Sequence, residues 1–482
     1  MIDAGFYMLA CVPVLLIATG LPAFMILIFI AATAAAIGVA TGALPYELLT
    51  ALPQRIEGLL ETDILQALPL YALMGALLNR LPLADILFRA GNALFARTAA
   101  APLLSAVGLG TLLAPMNGSV GASVAALTRI VLPRLRTHHV SNAKGLATVC
   151  VASTLGVVVP PSLVLILLGN AMLRADTQAM NITGHLSRAI NTQDVFRGAL
   201  PPAAIFLVMT AVLTWLIGRR TAAAAGTPLA HRERVRPRDW AIAAATVAFV
   251  LGLLMGVVLG YFYAVEAAAA GGMALFVIGL VSRTLTMKVL GQVLHDTMAI
   301  TGALFALLVG ATTFTLVVRA FGTDQVITEI IQRVPGGGMG AVLAVMLVLW
   351  LCAFALDAFE IIFVVIPLVM PALLTRVDDA VWVSVLALLS LQASFLLPPL
   401  GYAVMMARTS APIRVDLRAL VTALLPFLGA QLVVLGLTIA FPGVARLALP
   451  AEPGMAAARH KLTNQEVERL LQQSLPPPAR GQ

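Results

Sequence analysis

Two acidic residues, Asp357 and Glu360, stand three positions apart in the otherwise apolar stretch "CAFALDAFEIIFVVIPL" (352–368). If this stretch lies within a bilayer, an unpaired charge at its centre costs at least about 2.5 kcal/mol. Such a residue therefore needs a bound cation, a proton or an ion-pairing partner. For Asp357 we favour a cation ligand or a proton-coupled acid over an interfacial or salt-bridged structural position. For Glu360 we favour a structural role.

A second polar cluster interrupts another apolar stretch, at "APMNGSVGAS" (114–123). Small residues in this pattern can form a helix-packing face. Asn117 and Ser119, however, carry polar groups that need partners in lipid. We therefore interpret the cluster as part of a binding site, with the packing face as the alternative.

Each polar cluster is followed by a double proline inside a helix-length apolar run, "TLGVVVPPSLVLILLG" (154–169) and "ASFLLPPLGYAVMMA" (393–407). A proline inside a helix removes a hydrogen bond and clashes with the preceding turn, at a cost of about 3 kcal/mol. The broken ends leave backbone N–H and C=O groups free, and their dipoles can hold an ion or a carboxylate. These residue types thus indicate binding of ions and small solutes.

The composition determines where such a site must lie. Of the 482 residues, 60% are hydrophobic and 11% are charged, whereas soluble domains are about 45–50% apolar and about 25% charged. The apolar residues form long runs, and about 20 such residues cross a bilayer as a helix. We therefore predict an all-α polytopic membrane protein in the lipid bilayer. The net charge of +8 reflects basic loops that set topology, so we expect no nucleic-acid binding.

An internal repeat relates the two clusters. The double prolines lie 238 residues apart (160 to 398), as do Pro133 and Pro371, and in this register Ser119 meets Asp357. The units are joined by an odd number of predicted crossings, which would turn the second unit upside down. Inverted repeats with interrupted helices are the pattern of secondary transporters.

We predict five segments along the chain. Six arginines against one acid in 219–238 place this linker in the cytoplasm. The segments are N-terminal scaffold helices (1–63), a first repeat (64–218) with a re-entrant hairpin (98–135) and a broken helix (144–172), the basic linker with connecting scaffold helices (219–296), a second repeat (297–447) with a hairpin (340–375) and a broken helix (380–411), and a polar C-terminal tail (448–482).

Five motifs in order resemble one family over about residues 10–445. They are "NGSVGASVAALTRIVLP", "STLGVVVPPS", "YAVEAAAAGG", "FALDAFEIIFVVIPLVMP" and "FLLPPLGYAVMMAR". In this order and spacing they are similar to the large membrane (permease) subunit of tripartite ATP-independent periplasmic (TRAP) transporters, the DctM-like proteins.

The resemblance implies a secondary transporter of the elevator type within the ion-transporter superfamily. It implies symport driven by a cation gradient, usually Na⁺ with H⁺ as the alternative, and no other cofactor. The implied partners are a small four-helix membrane subunit and a periplasmic solute-binding protein that delivers an organic acid. The implied location is the bacterial inner membrane, and the chain is not expected to be an enzyme.

The resemblance also carries over site positions, which hold the cation and substrate at the hairpin tips and broken helices, with no transition metal. They are Asn117, Gly118, Ser119, Ser123, Thr154, Gly156, Pro160, Pro161, Asp357, Ser394, Pro398, Pro399 and Gly401, with Glu266 and Glu360 as secondary candidates. Leu397 stands where the family often has threonine, which removes one hydroxyl ligand from the second cation site.

Two other functions fit parts of the pattern. A stand-alone ion-coupled carboxylate or metabolite symporter would share the fold and need no binding protein. An intramembrane aspartyl enzyme would need paired aspartates on facing helices, and the sequence offers no second aspartate in a matching motif.

Overall fold

The computed structural model describes residues 3–61, 63–117, 119–138, 140–184, 190–225, 235–397, 401–412 and 414–449. Residues 226–234 of the predicted linker and 450–482 of the predicted tail lie outside this part of the chain. All regular elements in the described part are helical.

The described part of the first half of the chain contains eleven α-helices. They are α1 (Asp3–Thr19), α2 (Ala23–Ala40), α3 (Glu47–Thr50), α4 (Leu52–Leu60), α5 (Asp63–Arg80), α6 (Leu83–Leu94), α7 (Ala101–Leu113), α8 (Val120–Thr137), α9 (Asn142–Val158), α10 (Leu163–Thr183) and α11 (Thr192–Ala225). A 3₁₀ turn, Ala114–Asn117, ends α7.

The second half contains the other eleven described helices. They are α12 (Pro237–Leu259), α13 (Ala264–Val281), α14 (Met287–Ala320), α15 (Thr323–Arg333), α16 (Gly337–Cys352), α17 (Ala358–Glu360), α18 (Ile366–Leu374), α19 (Ala380–Leu396), α20 (Tyr402–Ser410), α21 (Leu417–Ala440) and α22 (Gly443–Arg446). A π-helical turn, Ile361–Val365, joins α17 to α18.

Seven helical segments in the described part are long and apolar enough to cross a membrane, or eight if the bent pair of α5 and α6 is one span. This agrees with the predicted polytopic membrane class. Burial separates the spans into two kinds. The broken pair of α9 and α10 is 94% buried, whereas α2 is 33% and α12 39% buried. The broken helix therefore lies in the centre of the molecule, with the intact spans around it.

Both halves place a helix–turn–helix unit before a broken helix. In the first half the unit is α7, the 3₁₀ turn and α8, followed by α9 and α10. In the second half it is α16, a turn and α17–α18, followed by α19 and α20. Every residue of α19 is buried, so this helix is central like α9.

Positions 238 residues apart occupy the same places in these units. Ser141 and Asp379 are the N-caps of α9 and α19, and each side chain accepts a hydrogen bond from the backbone three residues on. Val159 and Leu397 are the C-caps, both in extended conformation. The inverted orientation of the second unit stays a prediction.

Two short amphipathic helices, α6 and α15, follow the longer helices α5 and α14. Charged residues within α6 obscure its helical pattern in the sequence. In the structure Asp85 of α6 pairs with Arg134, and Arg89 lies 3.6 Å from Asp239 of α12. Arg134 itself belongs to the last turn of α8, within the predicted hairpin 98–135.

Candidate functional site

The tip of the first hairpin is a closed network of small polar groups. Asn117 is 3% exposed, and its Nδ2 donates to Ser123 Oγ over 2.9 Å. Ser123 Oγ in turn donates to the carbonyl oxygen of Ser119 over 3.1 Å. Asn117 Oδ1 is buried and has no hydrogen-bond partner among the described residues. A buried oxygen without a donor is available to a cation.

Two glycines let this tip approach its neighbours closely. A Cβ on Gly156 of α9 would lie 2.5 Å from the Ala114 carbonyl carbon and 2.7 Å from Pro115 N. A Cβ on Gly75 of α5 would lie 2.6 Å from Asn117 Cα. The tip is thus held between α5 and α9, and neither Gly75 nor Gly156 has room for a side chain.

One serine, Ser162, bridges the first helix break, and it is not among the site residues predicted from the sequence. Ser162 Oγ donates to the carbonyl oxygen of Val157 over 2.9 Å and accepts from the backbone N–H of Leu165 over 3.2 Å. It therefore satisfies the end of α9 and caps the start of α10 across the cis Pro160–Pro161 peptide. Thr154 is fully buried one turn earlier and donates to the Val151 carbonyl over 3.0 Å.

A small cavity of about 20 Å³ lies between the hairpin tip and this break. A cavity of at least about 10–15 Å³ can hold one water molecule, so a single ion of similar size also fits. The lining residues are Ala114, Pro115, Ser119, Val120, Ser153, Gly156, Val157, Ser162, Leu163 and Val164. Among the predicted site positions, Ser119 and Gly156 line this cavity. Asn117 precedes Ser119 by two residues and is not among the lining residues.

The two acids of the second hairpin cap a helix reciprocally. Asp357 Oδ1 accepts from the Glu360 backbone N–H over 2.9 Å, and Glu360 Oε2 accepts from the Asp357 backbone N–H over 3.0 Å. Asp357 begins α17 as Ser119 begins α8. The cap gives both acids a structural role. An ionised carboxylate accepts about four hydrogen bonds or ligands, so capping does not exclude a bound cation.

The second break is described on both sides of its prolines. Ser394 is buried and donates to the Leu391 carbonyl over 2.6 Å. Gly401 N–H donates to the Leu397 carbonyl over 2.7 Å, and a Cβ on Gly401 would lie 2.9 Å from the Phe395 carbonyl oxygen. The predicted positions Pro398 and Pro399 lie outside the described residues, as does Gly118 of the first tip.

The second break also reaches the first hairpin. A Cβ on Gly121 of α8 would lie 2.5 Å from the Tyr402 hydroxyl oxygen. Because Tyr402 is the first residue of α20, the two halves meet at the tip region. Glu266 lies apart from both: it is exposed at the start of α13 and accepts from the Tyr263 backbone N–H over 2.9 Å.

One buried amide, that of Gln392, is not among the site residues predicted from the sequence. Gln392 of α19 is 0% exposed, and neither its Nε2 nor its Oε1 has a hydrogen-bond partner among the described residues. The repeat register could have revealed it, because Gln392 stands 238 residues after Thr154. A buried, unpaired amide costs free energy in the folded state, so a functional reason for its presence is expected.

We expect Gln392→Met to raise or preserve stability while lowering transport. Methionine has a similar length and removes an unpaired amide whose burial costs about 1–3 kcal/mol. Thermal unfolding of the purified variant would measure the stability, and uptake in proteoliposomes the transport. A variant that unfolds earlier and transports normally would contradict this expectation.

Comparison with known families gives one match over almost the whole chain. A family model described as "Tripartite ATP-independent periplasmic transporter, DctM component" matches residues 10–444. This range includes both hairpin units and both helix breaks.

Three curated relatives are similar in sequence. The C4-dicarboxylate TRAP transporter large permease protein DctM of Rhodobacter capsulatus is 24% identical over 55% of this chain and 60% of that protein. A protein of the same name from Pseudomonas aeruginosa is 26% identical over 64% and 68%. The ectoine TRAP transporter large permease protein TeaC of Halomonas elongata is 23% identical over 67% and 72%. The match thus spans less than two thirds of the R. capsulatus protein.

Two solved structures share the fold. The YdaH transporter of Alcanivorax borkumensis superposes with a TM-score of 0.60 at 16% identity, covering 84% of this chain and 90% of that one. MtrF of Neisseria gonorrhoeae superposes with a TM-score of 0.54 at 14% identity, covering 85% and 86%. The overall helical fold of this chain is therefore shared with these two transporters.

Proposed function

Because this chain belongs to the DctM component family of tripartite ATP-independent periplasmic transporters, we propose that it imports a small organic acid by cation-coupled symport. The coupling ion is Na⁺, with H⁺ as the alternative. The chain acts as the large permease subunit in the bacterial inner membrane and carries out no covalent chemistry.

The observation that carries this proposal is the cavity between the first hairpin tip and the first helix break. Its volume of about 20 Å³ fits one small ion. The C-terminal end of α9 presents carbonyl oxygens, and those are the ligands that hard cations prefer. Ser119 lines the cavity, and the unpaired Asn117 Oδ1 lies two residues away, so the ion would be held mainly by neutral oxygens.

A second cation site forms, in this proposal, near Asp357 and the second break. The register that relates Ser119 to Asp357 places a carboxylate where the first tip has a hydroxyl. That carboxylate would supply charge where Leu397 supplies no hydroxyl. Glu360 holds the tip in shape through its bond to the Asp357 backbone N–H.

Transport by an elevator movement is part of the proposal. The moving unit would comprise both hairpins and both broken helices, of which α9, α10 and α19 are the most completely buried. The surrounding spans would form the static scaffold; within it Arg80 of α5 and Asp296 of α14 are tied by a 2.7 Å ion pair. A small four-helix subunit would brace this scaffold.

The proposed substrate is an organic acid delivered by a periplasmic binding protein. Two relatives are named for C4-dicarboxylates and one for ectoine. Each of these solutes carries a carboxylate, so we assign the chemical class to this chain and leave the particular acid to experiment.

Uptake in proteoliposomes tests the proposal. We expect the chain, reconstituted with a small membrane subunit and a loaded binding protein from its own gene neighbourhood, to accumulate the radiolabelled acid under an inward Na⁺ gradient. Replacing Na⁺ with choline should reduce uptake to background. Uptake that persists in choline and follows a pH gradient would assign H⁺, and equal uptake by the chain alone would contradict the tripartite assembly.

A further inference from the structure

A second, larger cavity is lined by three arginines from three different helices. It has a volume of about 370 Å³ and lies between α4, α10 and α14 on one side and the return arm of the second hairpin on the other. This return arm is the π-helical turn with α18 (361–374). Arg55 of α4, Arg174 of α10 and Arg319 of α14 line it. We call it the arginine cavity.

Arg319 links two walls of this cavity. Its Nη2 donates to the Pro367 carbonyl over 2.7 Å and lies 3.3 Å from Gln178 Oε1 on α10. The guanidinium is thus held in place through Nη2, while its buried Nε–H has no hydrogen-bond partner in the described part of the chain.

The charges in the arginine cavity are not balanced by its own walls. None of the described residues that line it is acidic. Asp324 acts electrostatically on Arg319, but it lines a neighbouring cavity. Within the described ranges neither Arg55 nor Arg174 has a carboxylate within ion-pairing distance. Three like charges around one space repel each other, and an anion placed between them would relieve that repulsion.

We propose that the arginine cavity binds the carboxylate of a small organic anion. Guanidinium groups match carboxylates through paired N–H donors. Asn170, Gln178 and Thr312 also line the cavity and add neutral polar groups for the rest of the solute. A volume of about 370 Å³ lies in the range of small-molecule sites, about 300–1,000 Å³.

The arginine cavity and the small cation cavity share one helix. Leu163, at the start of α10, lines the cation cavity, and Asn170 and Arg174 of the same helix line the arginine cavity. At 1.5 Å per residue they stand about 10 to 17 Å from the break along the helix axis. This inference rests on the proposed function, because it names where the transported acid is held beyond the cation.

Direct binding to the full chain in lipid nanodiscs tests the site. Isothermal titration in Na⁺ buffer would compare lactate, succinate and benzoate with their neutral amides. We expect at least one carboxylate to bind, its amide to bind far more weakly, and the affinity to fall as salt screens the charges. No preference for any acid over its amide would overturn the proposal.

Variants locate the binding. Arg174→Gln and Arg55→Gln should each weaken the affinity by about 10- to 100-fold, because a charged hydrogen bond is lost, and Arg174→Lys should retain part of it. Neither residue forms the wall-to-wall bonds of Arg319, so both variants are expected to fold. Arg418→Gln is the matched control, because Arg418 is exposed on α21 and lies outside the cavity lining. Equal affinities in all variants would contradict the assignment.

Uptake separates failure of this site from failure of the proposed function. If Arg174→Gln and Arg55→Gln import the acid with an unchanged KM, the transport function is supported and the assignment of the arginine cavity as the anion site is contradicted. Suppose that the wild-type chain binds a carboxylate, that Arg174→Gln weakens this binding, and that no acid is imported under any cation gradient. The binding site is then supported and the transport function is contradicted.

Discussion

Replacing Gly156 with alanine is expected to abolish transport and to destabilise the protein. The new Cβ would lie 2.5 Å from the carbonyl carbon and the Cβ of Ala114 and 2.7 Å from Pro115 N. Two of these three atoms belong to the backbone, so the hairpin tip must move away from the break. Such overpacking costs about 1–3 kcal/mol, and the displacement opens the proposed ion cavity. Thermal unfolding and proteoliposome uptake would measure the two effects.

Gly108→Ala is the matched control for this substitution. Gly108 lies in α7, the first arm of the hairpin whose tip contacts Gly156, and a Cβ on Gly108 would meet no atom within 4 Å. Alanine in a helix interior is favoured over glycine by roughly 0.5–1 kcal/mol, so this variant should be at least as stable as the wild type and fully active. Normal uptake by Gly156→Ala would show that the close approach of tip and break is not required.

Replacing Asp357 with asparagine is expected to remove ion-coupled uptake while the protein still folds. Asparagine is as good an N-cap as aspartate, so its Oδ1 can keep the bond from Glu360 N–H, now 2.9 Å long. The negative charge is lost, and with it the proposed cation ligand. Initial uptake rates at several Na⁺ concentrations would measure the loss.

Two companion variants separate charge from capping at this tip. Asp357→Ala removes both and should unfold earlier, since an N-cap residue contributes about 0.5–2 kcal/mol. Glu360→Gln keeps an acceptor for the Asp357 N–H, and we expect it to retain most uptake. If Asp357→Asn transports like the wild type, the acid serves only as a helix cap and the second cation site must be placed elsewhere.

The two tips share their geometry and differ in their chemistry. Ser119 and Asp357 each begin the return arm of a hairpin, and the register of the prolines predicts that they correspond. The first tip has neutral oxygens beside a small cavity, whereas the second has two carboxylates that cap each other. A charged second tip is expected to bind its cation more tightly and to depend more on the charge of one residue.

The sequence by itself determined the membrane class, the family and the register of the two units. Long apolar runs can only be accommodated in lipid as helices, because the bilayer offers no partner for the backbone. Proline has no N–H, so a double proline within a long apolar run favours a helix break, although Pro201 and Pro202 are accommodated within α11. Both signals are local, and they stay readable in a single chain. For the same reason the polar centres at Asn117 and Asp357 can be located from the order of residues alone.

The amphipathic helices α6 and α15 show where local signals fail. Each is shorter and more charged than a membrane span, and the pairing that neutralises Asp85 comes from Arg134 on another helix. A charge that is paired across the fold looks in the sequence like a charge in a solvated loop. Neither helix is therefore distinguished in the sequence from a segment that connects two spans.

Only the tertiary structure decided which residues stand together. Gly75 and Gly156 look like ordinary small residues until the hairpin tip is placed against them. Only the fold shows that Gln392 is buried with no hydrogen-bond partner among the described residues. The arginine cavity joins positions 55, 174 and 319, which no motif connects. Such sites arise from contacts between residues far apart in the chain, and these contacts depend on the packing of whole helices, which is not encoded in any local stretch of sequence.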